Sequence, residues 1–215
     1  MKLFVWDFHG VLEKDNDLAV LDISNQVLAQ AGYDERFSDK DNKEYYGLKW
    51  YEYFERLLPN LTKAEHMALQ TACFSFEENH LDVLARHIKP NDNAIDVLEI
   101  IQNAGHDQII LSNTRPSDLL WFVGAVRIKR YFPHEKIIGV NAHEKHGNKT
   151  EALKDYLHEK NFDAIVHIGD SESDMKLKDV AGGTTYFYNH PYLENMAKVA
   201  ADYVIDDLRR VLREV

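Results

Sequence analysis

A chain of 215 residues can form one α/β core, or a core of about 140 residues carrying a smaller insert. Its 36 acidic and 25 basic residues give a net charge of -11, which argues against a nucleic-acid surface as the main business, and its single cysteine, Cys73, excludes an intrachain disulfide and a thiolate metal cluster. No apolar stretch nears membrane-spanning length and no signal-peptide pattern opens the chain, so it reads as a cytoplasmic protein without membrane or nucleic-acid partners.

Leu3-Phe4-Val5-Trp6 is a short apolar run, aromatic and β-branched, closed by a Gly-containing turn, and it predicts a strand buried on both faces. Asp7 ends it. A carboxylate there is costly to bury unpaired and needs a cation, a donor or a chemical task. In extended chain Asp7 and His9 face one pocket while Phe8 turns aside, and Gly10 lets the backbone turn tightly. Residues 13–17 are polar and predict a loop; residues 18–31 carry apolar positions at helical spacing and stop at Gly32.

A second helical pattern covers residues 43–58, with Tyr46, Trp50, Tyr53, Phe54 and Leu57 on one face and Pro59 as its stop. A third covers residues 62–87, opened by the Thr62/Glu65 box, with Met67, Leu69, Phe74, Leu81 and Leu84 as core candidates. The stretch 17–89 is therefore expected to be all-helical. After Pro90 the texture changes: Asn91-Asp92 caps a helix that ends at Gly105, and residues 107–111 form a second buried strand ending in Ser112-Asn113-Thr114. Helices over residues 119–130, 150–159 and 175–181 alternate with strands over 136–140, 164–168, 184–188 and 202–205, and residues 208–215 close the chain as a helix. The strand at 164–168 runs into Gly169-Asp170-Ser171-Glu172-Ser173-Asp174. Such alternation implies a doubly wound parallel sheet, whose ligands bind beyond the carboxyl ends of the strands. The clusters at Asp7, Ser112 and Gly169 can meet there.

Three carboxylates converging in one crevice, Asp7, Asp170 and Asp174, repel one another without a cation, and a hard divalent ion with oxygen ligands is the simplest stabiliser. Mg²⁺ is the usual choice where a substrate brings phosphate oxygens. Lys149, at a helix start, or alternatively Lys145, supplies a basic group. With the Ser112 hydroxyl these would grip a phosphoryl group for in-line attack by Asp7.

Four motifs in this order, Asp7-Phe8-His9-Gly10-Val11-Leu12, Ser112-Asn113, Lys149 and Gly169-Asp170-Ser171-Glu172-Ser173-Asp174, resemble those of the haloacid dehalogenase-like superfamily over nearly the whole chain. The resemblance implies a Rossmannoid α/β core at 1–16 and 90–215, with a helical cap at 17–89 inserted after the first strand. It implies a Mg²⁺-dependent phosphatase of a small phosphorylated metabolite. By the same resemblance Asp7 is the nucleophile, Ser112 with Asn113 binds phosphate, Lys149 steadies nucleophile and phosphoryl oxygens, and Asp170 and Asp174 are the metal-side acids, with the His9 carbonyl as a further ligand. His9 itself stands where family phosphatases carry a second Asp as acid and base; an imidazole can do that work near neutral pH. Phosphonate or halide cleavage, or a weakly catalytic ligand-binding relic, are the alternatives this substitution leaves open.

Overall fold

The computed structural model describes residues 1–46, 48–140, 147–190 and 199–215. The chain divides into two compact units, Met1–Lys14 with Lys89–Val215, and Asp15–Ile88.

In chain order, the first unit opens with β1 (Leu3–Trp6) and the two-residue β2 (Glu13–Lys14). The second unit follows as α1 (Asn16–Gln30), α2 (Asp39–Tyr45), α3 (Trp50–Leu57), α4 (Lys63–Asn79) and α5 (Leu81–His87). The first unit resumes with β3 (Lys89–Pro90), α6 (Ala94–Asn103), β4 (Asp107–Ser112), α7 (Pro116–Ala125), β5 (Ile137–Gly139) and α8 (Lys149–Leu157). It ends with β6 (Ile165–Gly169), the short α9 (Glu172–Met175) and α10 (Lys178–Ala181), β7 (Thr184–Tyr188), β8 (Tyr203–Ile205) and a 3-10 helix over Leu208–Glu214.

Six of these strands form one parallel sheet in the order β5-β4-β1-β6-β7-β8. β1 is central: Leu3 pairs with Asp107 of β4 on one side and Ile165 of β6 on the other. From β1 the chain first builds outward through β4 and β5, then returns and builds the other way, so the strand order reverses at β1 and a crevice opens at its carboxyl end. Covered on both faces, β1 is fully buried. Leu3 and Val5 pack with Ile109, Leu111, Ala152, Leu153 and Leu177. Trp6, on the alternate face, keeps its indole N–H satisfied by Gln108 at 3.1 Å, whose own amide donates to the Leu98 carbonyl.

The helical unit is held by capping boxes at Ser38/Asp41 and Thr62/Glu65 and by an aromatic cluster of Phe37, Tyr45, Tyr53 and Phe54. Of the predicted stripe, Tyr53 and Phe54 are buried core, while Tyr46, Trp50 and Leu57 are only half-buried. The inner face of α4 differs from expectation: His66, Leu69, Cys73 and Phe76 are buried while Met67 and Phe74 are exposed, as is Leu81 at the start of α5. His66 Nε2 meets the Leu58 carbonyl at 2.9 Å, just past the end of α3, where that carbonyl also accepts from the Leu61 N–H.

Several predicted boundaries also move. The single helix expected at 43–58 is two, and that at 62–87 breaks at His80. Residues 13 and 14 are a strand rather than loop, paired antiparallel with Lys89 and Pro90. Asn91 and Asp92 do not cap α6, whose N-cap is Asn93 in a left-handed conformation; Asn91 instead donates to the Val11 carbonyl at 2.8 Å. The segment 119–130 is α-helical to Ala125 and enters a 3-10 helix at Lys129–Tyr131, residues 175–181 fall in two short helices, and the closing helix is 3-10. Among the described residues no helix is long and apolar enough to cross a membrane.

Candidate active site

Each acid of the crevice is set by backbone. Asp7 follows β1, its N–H donating to the Ile168 carbonyl of β6 at 2.8 Å. Beyond it the chain folds onto the Phe8 carbonyl, which accepts from Val11, Leu12 and Glu13, a tight turn that Gly10 permits at φ 76°. Asp170 follows β6. Asp174 lies one turn into α9, where its Oδ2 accepts from the Ser171 N–H at 3.1 Å and from the Ser171 hydroxyl, a reciprocal capping box. This brings the Asp174 side chain against Gly169, where any Cβ would overlap it. Lys149 opens α8 after Asn148, whose side chain accepts from the Glu151 N–H.

These elements converge. Asp7, Asp170 and Asp174 each offer an oxygen within 4.8 Å of the others. Lys149 Nζ donates to Asp7 Oδ1 at 2.8 Å and to Asp174 Oδ1 at 2.6 Å, with all three side chains largely buried. Burial pushes the Lys149 ammonium down, but the flanking carboxylates of Asp7 and Asp174 outweigh it and hold the ammonium above its ordinary range. Burial pushes the Asp7 carboxyl up, Lys149 draws it down, and the charge of Asp170 pushes it up again. Asp174 is likewise raised by burial and by Asp7, against the pull of Lys149. Among the described residues, one ammonium faces these three carboxylates. Three carboxylates with no nitrogen or sulfur donor among them form a hard-oxygen set, which fits Mg²⁺.

Ser112 ends β4 opposite Gly139 of β5, buried, with its hydroxyl 2.9 Å from that of Thr114; Asn113 beside it is exposed. Since β4 is the immediate neighbour of β1, the two strand ends lie side by side. His9 donates from Nδ1 to Glu13 Oε2 at 2.8 Å, and its ring sits edge-on against Phe8 and Phe122. Lys145 lies outside the described residues.

Two polar residues of the site escape the sequence reading. Glu13, wholly buried beneath His9, belongs to a stretch that looks like solvated loop. His190 follows β7, almost fully buried, with Nε2 2.9 Å from Asp170 Oδ2. Its signal was positional: β7 neighbours β6, so a polar residue just past its end reaches the same crevice.

Solved structures share this architecture. They include a haloacid dehalogenase-like family hydrolase from Streptococcus pneumoniae, at 16% identity and TM-score 0.77 over 99% of this chain and 97% of that one. A predicted phosphoglycolate phosphatase from Haemophilus somnus matches at 16% identity and TM-score 0.74, covering 100% and 97%. CbbY from Rhodobacter sphaeroides in complex with phosphate matches at 16% and 0.69, covering 98% and 95%. Identity at this level speaks for the fold alone, a doubly wound α/β scaffold. No curated protein sequence matches the chain. The family model for haloacid dehalogenase-like hydrolases matches residues 4–186, and the chain belongs to that family of hydrolases.

Proposed function

We propose that the chain is a Mg²⁺-dependent hydrolase of small phosphomonoesters that works through an aspartyl phosphate on Asp7. The observation that carries this reading is Lys149 bridging Asp7 and Asp174 inside a cluster of three carboxylates. The shared fold of a predicted phosphoglycolate phosphatase and of phosphate-bound CbbY supports the substrate class.

Asp7, Asp170 and Asp174, with the His9 carbonyl, would hold Mg²⁺, which supplies charge neutralisation for the phosphoryl oxygens. The Lys149 ammonium occupies Asp7 Oδ1 and leaves Oδ2 as the attacking atom. Ser112 and Asn113 donate to the phosphoryl oxygens. As the bond from Asp7 to phosphorus forms, the ester P–O bond breaks and the departing oxygen takes the proton of the His9 imidazolium. Water then attacks phosphorus and gives its proton to neutral His9, while the bond to Asp7 breaks and frees both inorganic phosphate and the carboxylate. Glu13, bonded to Nδ1, fixes the ring so that Nε2 does this work.

Phosphate release from p-nitrophenyl phosphate tests the reading. It is expected to require MgCl2, to vanish in Asp7→Asn, and to fall about 10²- to 10⁴-fold in His9→Ala, the usual share of general acid–base assistance. Turnover that survives EDTA, or an Asp7→Asn protein as active as the native one, overturns it.

A further inference from the structure

The three acids are held by different partners. Lys149 binds Asp7 and Asp174, and Ser171 binds the second oxygen of Asp174. The Asp170 carboxylate is instead met by His190, which comes from a different strand end. Asn189 fixes the approach, its N–H donating to the Ile205 carbonyl of β8 at 2.7 Å, so the chain leaving β7 is still tied to the sheet when it reaches His190. The imidazole is 3% exposed and stands edge-on to the Tyr188 ring, with centroids 5.2 Å apart. A carboxylate only accepts, so Nε2 carries the proton and donates it to Asp170 Oδ2 across 2.9 Å.

We infer that His190 is a positioning residue for metal binding: by holding Oδ2 of Asp170 it aims the other oxygen of that carboxylate into the cluster with Asp7 and Asp174. The inference rests on reading those three acids as the Mg²⁺ site. Its physical content is orientation. An Asp side chain at the end of a strand has two torsions to lose on binding a cation, and a buried donor fixed by backbone removes that freedom beforehand. Outer partners of this kind typically contribute 10- to 100-fold in metal affinity. The requirement is a neutral donor at the place of Nε2, so side chains can be ranked by where they put an N–H. A Gln amide reaches that place; an Asn amide, one methylene shorter, does not; Leu fills the volume with no donor.

Calorimetric titration of MgCl2 into the full chain, native and variant, decides the matter. His190→Leu and His190→Asn are expected to bind Mg²⁺ about 10- to 100-fold more weakly, while His190→Gln stays within about threefold of the native affinity. Should His190→Leu fail to fold, the Gln and Asn pair carries the comparison by itself, since both keep a polar amide. Native affinity in His190→Asn, or a His190→Gln protein as weak as His190→Asn, overturns the inference and leaves the metal reading standing. Absence of Mg²⁺ binding by the native chain overturns both.

Discussion

One ammonium serves two buried carboxylates in this molecule, and a third carboxylate stands within reach of both. The residues proposed to hold a cation therefore weaken the fold when no cation is there. Asp7→Asn removes one negative charge and keeps the shape, so in EDTA at neutral pH that variant is expected to melt a few degrees above the native chain, equivalent to about 1 kcal/mol. Lys149→Met has the opposite sign, because it strands Asp7 and Asp174 without a counter-charge; about 3–5 kcal/mol of stability should be lost. Calorimetry of the two variants reads both effects, and a lower melting temperature in Asp7→Asn contradicts the charge surplus. At this scale Asp7 and Asp170 were legible because each follows an apolar run, the one place where a carboxylate is conspicuous, and Asp174 because it closes the polar stretch that Asp170 opens. Glu13 and His190 were not, because what makes them matter is burial by residues distant in sequence, and nothing in their own neighbourhood announces it.

The elements that carry the site are tied at two points that can be broken separately. Gly169 ends β6 against the Asp174 side chain, which Lys149 and Ser171 hold in place and prevent from yielding. Gly169→Ala should therefore cost about 1–3 kcal/mol by overpacking, read as a lower urea midpoint, and weaken Mg²⁺ binding as Asp174 is displaced. At the opposite ends of the strands, Asp202 joins β7 to β8: its carboxylate accepts from Lys178 at 2.7 Å and from both the N–H and hydroxyl of Thr185 at 2.9 Å. Lys178 first, then Thr185, pull its pKa down to about 2. An unfolded Asp titrates near ~3.9, so the folded state gains full benefit above that pH and loses it as pH falls from about 4 towards 2. Asp202→Asn should lose about 1 kcal/mol at pH 7, the full linkage being discounted because the group is more than a third exposed. Its deficit should shrink as acid is added, and a deficit that stays constant from pH 7 to pH 2 refutes the account. The strands were legible where burial made them apolar runs, as at β1, β4 and β6. The hairpin of β2 and β3 was not: two residues carry no period, and their pairing is fixed by strands that meet across 74 positions of sequence. Similarly, Asn91 has the composition of a helix cap, yet its amide serves the carbonyls after β1.

Across the whole molecule, that hairpin is where the chain leaves the α/β unit and comes back to it. Lys14 and Lys89 are opposed partners in an antiparallel pair, which sets their Cα atoms about 5 Å apart. The pair is braced on the side of the sheet. Asn91 N–H donates to the Leu12 carbonyl at 2.9 Å, its side chain donates to Val11, and Lys14 reaches Asp92 at 2.6 Å. All these bonds lie inside the unit formed by Met1–Lys14 and Lys89–Val215, and so do the three acids, Lys149 and His190. An Asn-Gly pair, which closes antiparallel strands two residues apart, can therefore replace residues 15–88 without altering register. The shortened chain is expected to unfold in a single cooperative step and to bind Mg²⁺ within about threefold of the native affinity, since every proposed ligand and its holder remains. Calorimetry and MgCl2 titration of the shortened chain read the two quantities. A cooperative fold that has lost its Mg²⁺ affinity would mean that the acids depend on the excised helices for their geometry, contrary to the account in which strand ends, Lys149 and His190 suffice.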